Sequence, residues 1–283
     1  MTIELYQYIK FESQEIEWLT YFVVNKKNFK KMSTTKIIHW SISKYFLGTR
    51  QNLPYALIIL NQPISLWDKH FHTIWENASL NICADGGGNQ LYDAFEKTDK
   101  KSRYIPHFIK GDLDSLRDDV RKFYISRGTV VQQDPDQNTT DFMKCIDLIR
   151  KKELESSEPS LKYEIIALGA FGGRVDQAMS NIHYLYKLKD ERRIYLWSDQ
   201  NMAFLLNKGK HQIQCDLNVE GPNCGIIPIG IERAIVTTTG LEWNLANSPT
   251  SFGEMISTSN HLIDDVITIE TDSPILWTVE LKF

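Results

Sequence analysis

Between Tyr55 and Asp199, short apolar runs alternate with longer amphipathic stretches, and this alternation restricts the fold more than any other feature of the chain. The apolar runs have the length of strands, whereas the stretches between them repeat apolar residues at helical spacing. This order is typical of parallel strands joined by covering helices. The sequence therefore predicts an open α/β sheet up to about residue 199.

The predicted strands read YALIIL, LNICA, YIPHFI, TVVQQ, YEIIALGA and RIYLWSD. The predicted helices read SLWDKHFHTIWENA, NQLYDAFEK, LRDDVRKFYISRG, TTDFMKCIDLIRKK and VDQAMSNIHYLYKLK. Thr139 or Thr140 is the expected N-cap of the fourth helix, because a threonine oxygen accepts a hydrogen bond from a free N–H group of the first turn.

After residue 200 the pattern changes to short β-rich segments that break at Gly, Pro, Asn and Asp. These segments read GIIPIG, RAIVTTTG, EMISTSN, DVITIET and ILWTVELKF. They predict a small antiparallel β-sandwich. We therefore expect an N-terminal extension over residues 1–50, a Rossmann-like parallel sheet domain over 51–200 and a β-sandwich domain over 201–283.

The balance of charges and the cysteines exclude several classes of function. The net charge of −4 arises from interspersed acidic and basic residues, so no field of one sign favours nucleic acid or a membrane surface as a partner. The four cysteines lie far apart without a C-x-x-C pair, which is typical of reduced thiols. The longest apolar runs reach only about a third of the ~20 residues of a membrane helix. We expect a cytoplasmic protein that acts on small molecules.

Charged residues follow the carboxyl ends of four predicted strands. In chain order they are Asp85, Asp112, Asp114, Asp141, Arg174 and Asp176. The carboxyl ends of parallel strands share one edge of a sheet, and open α/β folds bind their ligands there. These side chains are therefore expected to converge in one crevice.

Several carboxylates in one crevice repel each other unless a cation neutralises them. Hard oxygen ligands favour Mg²⁺, which commonly arrives with a polyphosphate. The glycines of ADGGGN and LGAFGGR allow the backbone to approach a phosphate, and Arg174 adds a fork-shaped cation. The sequence thus predicts a magnesium-dependent phosphate site.

Each of these motifs also has a purely structural interpretation. Asp85 and its glycines would serve as a strand-to-helix turn, and Asp114 would cap the next helix. Asp141 lies in a first helical turn, where the helix dipole favours an acid. The coincidence of several acids at one edge favours the functional interpretation.

The motifs of the chain, taken in order, resemble those of eukaryotic thiamine pyrophosphokinases. The resemblance extends from about Ala56 to Thr278, and no match covers residues 1–50. The motifs read IILNQPI, CADGGGNQLYD, KGDLDS, PDQNTTDFMKC, LGAFGGRVDQ, GKHQI, NCGIIPIG, TTTGLEWNL, ISTSN and ETDSPILWT. The resemblance implies a homodimer that transfers diphosphate from ATP to the hydroxyl of thiamine and releases AMP.

The resemblance also implies a role for each matching residue. The catalytic and Mg²⁺ centre would contain Asp85, Asp112, Asp114 and Asp141, of which the first three would bind the metal. ATP would contact Gly86, Gly87, Asn89, Thr140, Arg174 and Asp176. Thiamine would contact Gln137, Trp243, Ser257, Ser259 and Asn260 across the dimer interface. Without the family, Trp243 fits a core position equally well, and the hydroxyls of STSN fit the solvent side of an edge strand.

The chemistry implied is an in-line displacement on ATP, in which Asp141 is the candidate that orients or deprotonates the thiamine hydroxyl. One alternative is a haloacid-dehalogenase-like phosphatase, whose first D-x-D aspartate becomes phosphorylated, although that motif normally follows the first strand. Another is a sensor that binds nucleotide or thiamine without chemistry. No G-x-x-x-x-G-K-[ST] motif occurs, which disfavours a P-loop kinase.

Overall fold

The computed structural model describes residues 36–47, 54–64 and 68–282, which belong to one compact unit. Its helices are α1 (Ser43–Phe46), α2 (Asp68–Asn77), α3 (Gly87–Phe95), α4 (Asp118–Ile125), α5 (Asp141–Leu154) and α6 (Val175–Lys187), with a 3₁₀ helix at Asp99–Ser102. Its strands are β1 (Ile37–Trp40), β2 (Tyr55–Ile59), β3 (Leu80–Ala84), β4 (Phe108–Gly111), β5 (Val130–Gln133), β6 (Glu164–Leu168), β7 (Ile194–Trp197), β8 (Asn201–Leu206), β9 (Gly209–Gln214), β10 (Glu220–Ile227), β11 (Ala234–Thr239), β12 (Ser248–Thr250), β13 (Ser257–His261), β14 (Val266–Thr271) and β15 (Ile275–Leu281).

Ten strands of the described residues form the larger sheet, in the order β13-β10-β15-β8-β7-β6-β2-β3-β4-β5. The strands from β7 to β5 run parallel, and those from β7 to β13 run antiparallel to their neighbours. Along the parallel half, β3 to β5 lie on one side of β2, whereas β6 and β7 lie on the other. A reversal of this kind opens a crevice at the carboxyl ends of the two strands that flank it.

Within the part of the chain that the structure describes, five strands form the smaller sheet, in the order β1-β9-β14-β11-β12. Only the β1–β9 pair in this sheet is parallel among the described strands. One buried apolar cluster contains Trp40, Ile213 and Val236 from this sheet together with Phe204 and Trp277 from the larger one. The smaller sheet therefore packs on the antiparallel half of the larger sheet through a shared core.

The prediction of a mixed α/β fold is confirmed, and each quoted strand and helix has a counterpart in the structure. The larger sheet does not stop near residue 200, because β8 pairs with β7 through Leu196 and Ala203 and continues into the antiparallel strands. The division at residue 200 and the terms Rossmann-like and β-sandwich stay predictions.

Residues 36–47 are part of the fold, although they fall within the predicted N-terminal extension. The indole N–H of Trp40 donates to Nδ1 of His211 at 3.0 Å, and β1 pairs with β9. The backbone N–H of Ser43 donates to Oε1 of Glu220 at 3.0 Å, and the Tyr45 hydroxyl donates to Glu164. The remainder of the predicted extension, 1–35 and 48–50, lies outside the described residues.

The contact between Ser43 and Glu220 makes a prediction about pH. Burial raises the pKa of Glu220 to about 7 from its usual value of 4.5, although hydrogen bonds from Cys215 and Ser43 lower it. The protonated carboxyl therefore contributes stability in full below about pH 4.5, and this contribution is lost as the pH rises through 7. Between pH 5 and pH 8, we expect the free energy of unfolding to fall by about 2 kcal/mol less in the variant Glu220→Gln than in the unmodified protein.

Urea unfolding of both proteins at pH 5 and pH 8 measures this effect. Substitution of the exposed Glu232 by glutamine provides the control, because it removes the same charge from a solvated position. Equal pH dependence in the unmodified protein and in Glu220→Gln would contradict the prediction.

Candidate active site

A crevice of about 360 Å³ lies at the carboxyl ends of the parallel strands and spans the point where the strand order reverses. Loops that follow β2, β3, β4 and β6 form it, together with the first turns of α5 and α6. Its polar lining includes Asn61, Gln62, Asp85, Asp112, Asp114, Ser115, Thr140, Asp141, Arg174, Gln177 and Asn181. Asp85, Asp112, Asp114, Asp141 and Arg174 therefore converge as predicted, whereas Asp176 does not line the crevice.

Three carboxylates form the centre of this crevice. One carboxylate oxygen from each of Asp85, Asp112 and Asp141 lies within 4.8 Å of the other two. The backbone N–H of Asp112 donates to Oδ1 of Asp141 at 3.3 Å, which holds the loop after β4 against the start of α5. Asp114 lines the crevice but lies outside this group of three.

Asp85 is the most enclosed of the three, with 3% of its surface exposed and a left-handed backbone at φ 42°. Its Oδ2 accepts a hydrogen bond from the Ser115 N–H at 3.1 Å, whereas its buried Oδ1 has no hydrogen-bond partner among the described residues. Burial raises the pKa of Asp85, and the nearby Asp141 and Asp112 add to the rise, against the Ser115 hydrogen bond. An orphaned carboxylate oxygen beside two further carboxylates fits a hard divalent cation.

The close approach of these carboxylates depends on a glycine. A Cβ atom at Gly111 would lie 2.7 Å from the Cβ of Asp85 and 2.9 Å from Oδ1 of Asp141. The next turn also uses a rare conformation, because Leu113 has a φ of 67°. The KGDLDS motif thus provides a backbone without a side chain where the acids meet and a sharp turn that separates Asp112 from Asp114.

The glycines of the DGGG motif bring α3 close to the end of β2. A Cβ atom at Gly87 would lie 2.2 Å from the carbonyl oxygen of Ile59, and one at Gly86 would lie 2.3 Å from the side chain of Asn61. Helix packing therefore requires small residues here, whether or not a phosphate also binds. Gly86 is the N-cap of α3, and no side chain among the described residues forms a capping hydrogen bond there.

The loop between β6 and α6 forms the opposite wall of the crevice. Gly172 and Gly173 have φ values of 106° and 60°, and the Nδ2 of Asn181 holds the loop by donating to the Ala170 carbonyl at 2.8 Å. Arg174 is the N-cap residue of α6 and pairs with Asp176 at the exposed mouth of the crevice. A guanidinium at this position can reach an anion that enters the crevice.

The residues predicted to contact ATP fall into two groups. Gly86, Thr140 and Arg174 line the crevice. The Oγ1 of Thr140 also accepts a hydrogen bond from the Met143 N–H at 3.3 Å, which confirms Thr140 as the N-cap of α5. Gly87, Asn89 and Asp176 do not line the crevice, and their contacts with ATP stay predictions.

Asn89 is occupied by contacts within the protein. Its Nδ2 donates to the Ser115 carbonyl at 2.7 Å, and its Oδ1 accepts from the Arg117 N–H at 3.1 Å. The amide therefore fastens α3 to the loop after β4, which carries Asp112 and Asp114.

The residues predicted to contact thiamine do not line this crevice. Trp243 is 55% exposed, which argues against the core position that the sequence left open. Its backbone is held at both ends by the buried Asn260, whose Oδ1 accepts from the Trp243 N–H at 3.1 Å and whose Nδ2 donates to the Trp243 carbonyl at 2.8 Å. The other three are the buried Ser257 and the exposed Ser259 and Gln137.

Six polar residues of the described site were not predicted from the sequence. They are Asn61, Gln62, Ser115, Lys144, Gln177 and Asn181. The side-chain amide of Gln62 lies beside Gly173 and has no hydrogen-bond partner among the described residues, so it is available to a ligand. The IILNQPI motif marked this segment, but only the strand order reveals that it ends at the crevice.

These features define a class: an α/β protein whose crevice suits a divalent cation and an anionic ligand. The chain matches the family model for the catalytic domain of thiamin pyrophosphokinase over residues 71–196 and the model for the vitamin B1 binding domain over residues 210–276. The chain belongs to the thiamine pyrophosphokinase family, and the resemblance found in the sequence is confirmed.

Relatives of known name and solved structures agree with this assignment. Thiamine pyrophosphokinase 1 of Arabidopsis thaliana is 43% identical over 83% of this chain and 88% of its own length. Thiamine pyrophosphokinase of Saccharomyces cerevisiae is 30% identical over 80% of this chain and 85% of its own length. The crystal structure of yeast thiamin pyrophosphokinase superposes with a TM-score of 0.78 at 29% identity, covering 88% of this chain and 93% of that chain.

Proposed function

We propose that this protein is an ATP-dependent diphosphotransferase that forms thiamine diphosphate and AMP from thiamine and ATP. Membership of the thiamine pyrophosphokinase family supports this activity. The observation that carries the proposal is the group of Asp85, Asp112 and Asp141 at the crevice, because a pure binding protein gains nothing from carboxylates that repel each other.

Asp85, Asp112 and Asp114 are the proposed ligands of Mg²⁺, and Asp141 lies beside Asp85 and Asp112 in the same crevice. When bound, the cation neutralises charge on the phosphate oxygens and orients ATP for in-line attack. Asp85 would supply its orphaned Oδ1, and the hydrogen bond from the Asp112 N–H to Oδ1 of Asp141 holds the loop that carries Asp112 and Asp114. Burial of Asp85 excludes water from the inner side of the group.

The remaining crevice residues are proposed to bind and orient the substrates. Arg174 and the backbone N–H groups of the glycine loop take charge that develops on the phosphates, and Gly86, Gly87, Asn89, Thr140 and Asp176 complete the nucleotide side. Asp141 orients or deprotonates the thiamine hydroxyl. Its position beside Asp85 and Asp112, two proposed ligands of the cation, supports this role.

The residues that contact thiamine are proposed to come from a second copy of the chain. Gln137, Trp243, Ser257, Ser259 and Asn260 lie outside the crevice of their own chain, so a partner would be needed to bring them to ATP. β13 is an edge strand of the larger sheet, and the exposed Phe252 and Met255 precede it. An open edge beside exposed apolar side chains favours a homodimer.

The cytoplasmic location, the Rossmann-like and β-sandwich domains and the absence of nucleic-acid or membrane partners belong to the same proposal. None of the helices in the described part of the chain is long and apolar enough to cross a bilayer.

The activity is tested by incubating the protein with ATP, Mg²⁺ and thiamine. AMP and thiamine diphosphate are expected in equal amounts, and omission of Mg²⁺ should abolish both. Formation of ADP, or of inorganic phosphate alone, would overturn the proposal. A phosphoenzyme on Asp112 would instead support the phosphatase alternative.

Trp243 provides a test of the thiamine side. We expect Trp243→Ala to raise the KM for thiamine by about tenfold, because the ring face attracts the cationic thiazolium with about 1–2 kcal/mol. Because the Trp243 side chain is largely exposed, its removal creates no large cavity in the core, so the free energy of unfolding should change little. Steady-state kinetics with each substrate varied in turn measure the effect.

The substitution Trp243→Phe is the matched control and should lose only part of the affinity, since a phenyl ring keeps a smaller face for the cation. The KM for ATP should remain within about twofold in both variants. An unchanged KM for thiamine in Trp243→Ala would remove Trp243 from the thiamine site.

A further inference from the structure

Lys144 lies one turn after Asp141 in α5, and only 2% of its side chain is exposed. Its Nζ lies 3.2 Å from Oδ1 of Asp141 and 3.9 Å from Oδ2 of Asp112. A buried ammonium is costly unless negative charge compensates it. Lys144 thus places a positive charge next to the carboxylates of Asp112 and Asp141.

The charged residues near Lys144 form two groups, which are the Lys110–Asp134 pair with Asp136 and the carboxylates of Asp85, Asp112 and Asp141. Lys110 pairs with Asp134 at 2.9 Å, outside the carboxylate group. The hydrogen bond with Lys110 lowers the pKa of Asp134, and the backbone hydrogen bond from Asn138 lowers that of Asp136, while the charge of Lys144 adds a smaller effect to each. Among the described residues, Lys144 is the cationic side chain that pairs with Asp112 and Asp141.

We propose that Lys144 is a built-in counter-ion that stabilises the metal-free carboxylate group and lowers its affinity for a free divalent cation. A free cation must share Asp112 and Asp141 with the ammonium, which repels it at short range. A cation that arrives with a triphosphate brings negative charge that offsets Lys144. The site therefore selects the metal–nucleotide complex over the free metal.

The selection of the metal–nucleotide complex rests on the proposed function, whereas the counter-ion role is tested without substrates. Lys144→Met keeps an unbranched side chain and removes the charge. We expect the dissociation constant of free Mn²⁺, measured by electron paramagnetic resonance, to fall by about fivefold or more. In EDTA, the Tm of the variant should fall by at least about 3 °C, because the carboxylates lose their counter-ion.

Lys110→Met is the control, because it removes a lysine that pairs with Asp134 instead of the carboxylate group. Its Mn²⁺ affinity should remain within about twofold of that of the unmodified protein. A Mn²⁺ affinity that is unchanged or weaker in Lys144→Met would overturn the proposal. That result would not change the outcome of the assay for AMP formation. A failure of the counter-ion proposal can therefore be distinguished from a failure of the proposed function.

A double variant, Lys144→Met with Asp141→Asn, covers the case in which Lys144→Met does not fold. The double variant removes both charges of the ion pair in which Nζ of Lys144 lies 3.2 Å from Oδ1 of Asp141. Its Tm in EDTA should therefore regain most of the decrease that Lys144→Met alone causes. A double variant that is as unstable as the single one would show that Lys144 acts through packing, and this would also overturn the proposal.

Discussion

Replacement of Asp112 by asparagine is expected to lower the rate of AMP formation by about 10³-fold. The amide has nearly the same shape and keeps an oxygen that can accept the hydrogen bond now made by the Asp114 N–H at 3.2 Å. It lacks the negative charge that a hard cation requires from its ligand. The loss should therefore appear in kcat and in Mn²⁺ binding, with little change in the free energy of unfolding.

Asp118 provides the matched control for this substitution. It lies exposed in the first turn of α4, only six positions along the chain and outside the crevice lining. Asp118→Asn should retain the rate of AMP formation within about twofold. Full turnover by Asp112→Asn with the same requirement for metal would contradict the role assigned to the carboxylate group.

Replacement of Gly87 by alanine is expected to lower the free energy of unfolding by about 3 kcal/mol. The new methyl group would lie 2.2 Å from the carbonyl oxygen of Ile59, and both partners of this clash belong to regular elements that cannot rotate away. Relief would require α3 to move, and α3 begins two residues after Asp85. Activity should fall together with stability.

Gly88 is the matched control because it is the next residue of the same helix. A Cβ atom there would lie 3.2 Å from the Cδ1 atoms of Ile109 and Leu116, which are the flexible ends of side chains and can shift. Alanine also favours the helix over glycine by up to about 1 kcal/mol, so Gly88→Ala should be close to neutral. Urea unfolding measures both variants, and equal stabilities would refute the close approach of α3 to β2.

The position of the acids at one edge could be predicted from the sequence, because each follows an apolar run and parallel strands share their carboxyl ends. Which acids form the innermost group could not be predicted. Asp112 and Asp114 are equivalent by spacing, and the left-handed turn at Leu113 decides that only Asp112 joins Asp85 and Asp141. A residue that is not glycine gives little sequence signal for such a conformation.

The partners of the N-terminal segment were also beyond the reach of sequence periodicity. Trp40 meets His211 across 171 positions of the chain, and no local pattern specifies a contact at that distance. The same holds for the hairpin from β7 to β8, since apolar residues alternate similarly whether a strand joins a parallel or an antiparallel neighbour. The amphipathic helices, in contrast, depend on local spacing and were located correctly.

The place of β2 in the larger sheet has a practical consequence for recombinant work. A fragment cloned from residue 71, where the catalytic family match begins, would lack β2, which lies between β6 and β3. The hydrogen-bonding edges of β3 and β6 that pair with β2 would then have no partner strand. Unpaired strand edges promote aggregation and insoluble expression. Vectors for crystallography or assay should start upstream of residue 36, so that β1, α1 and β2 all remain.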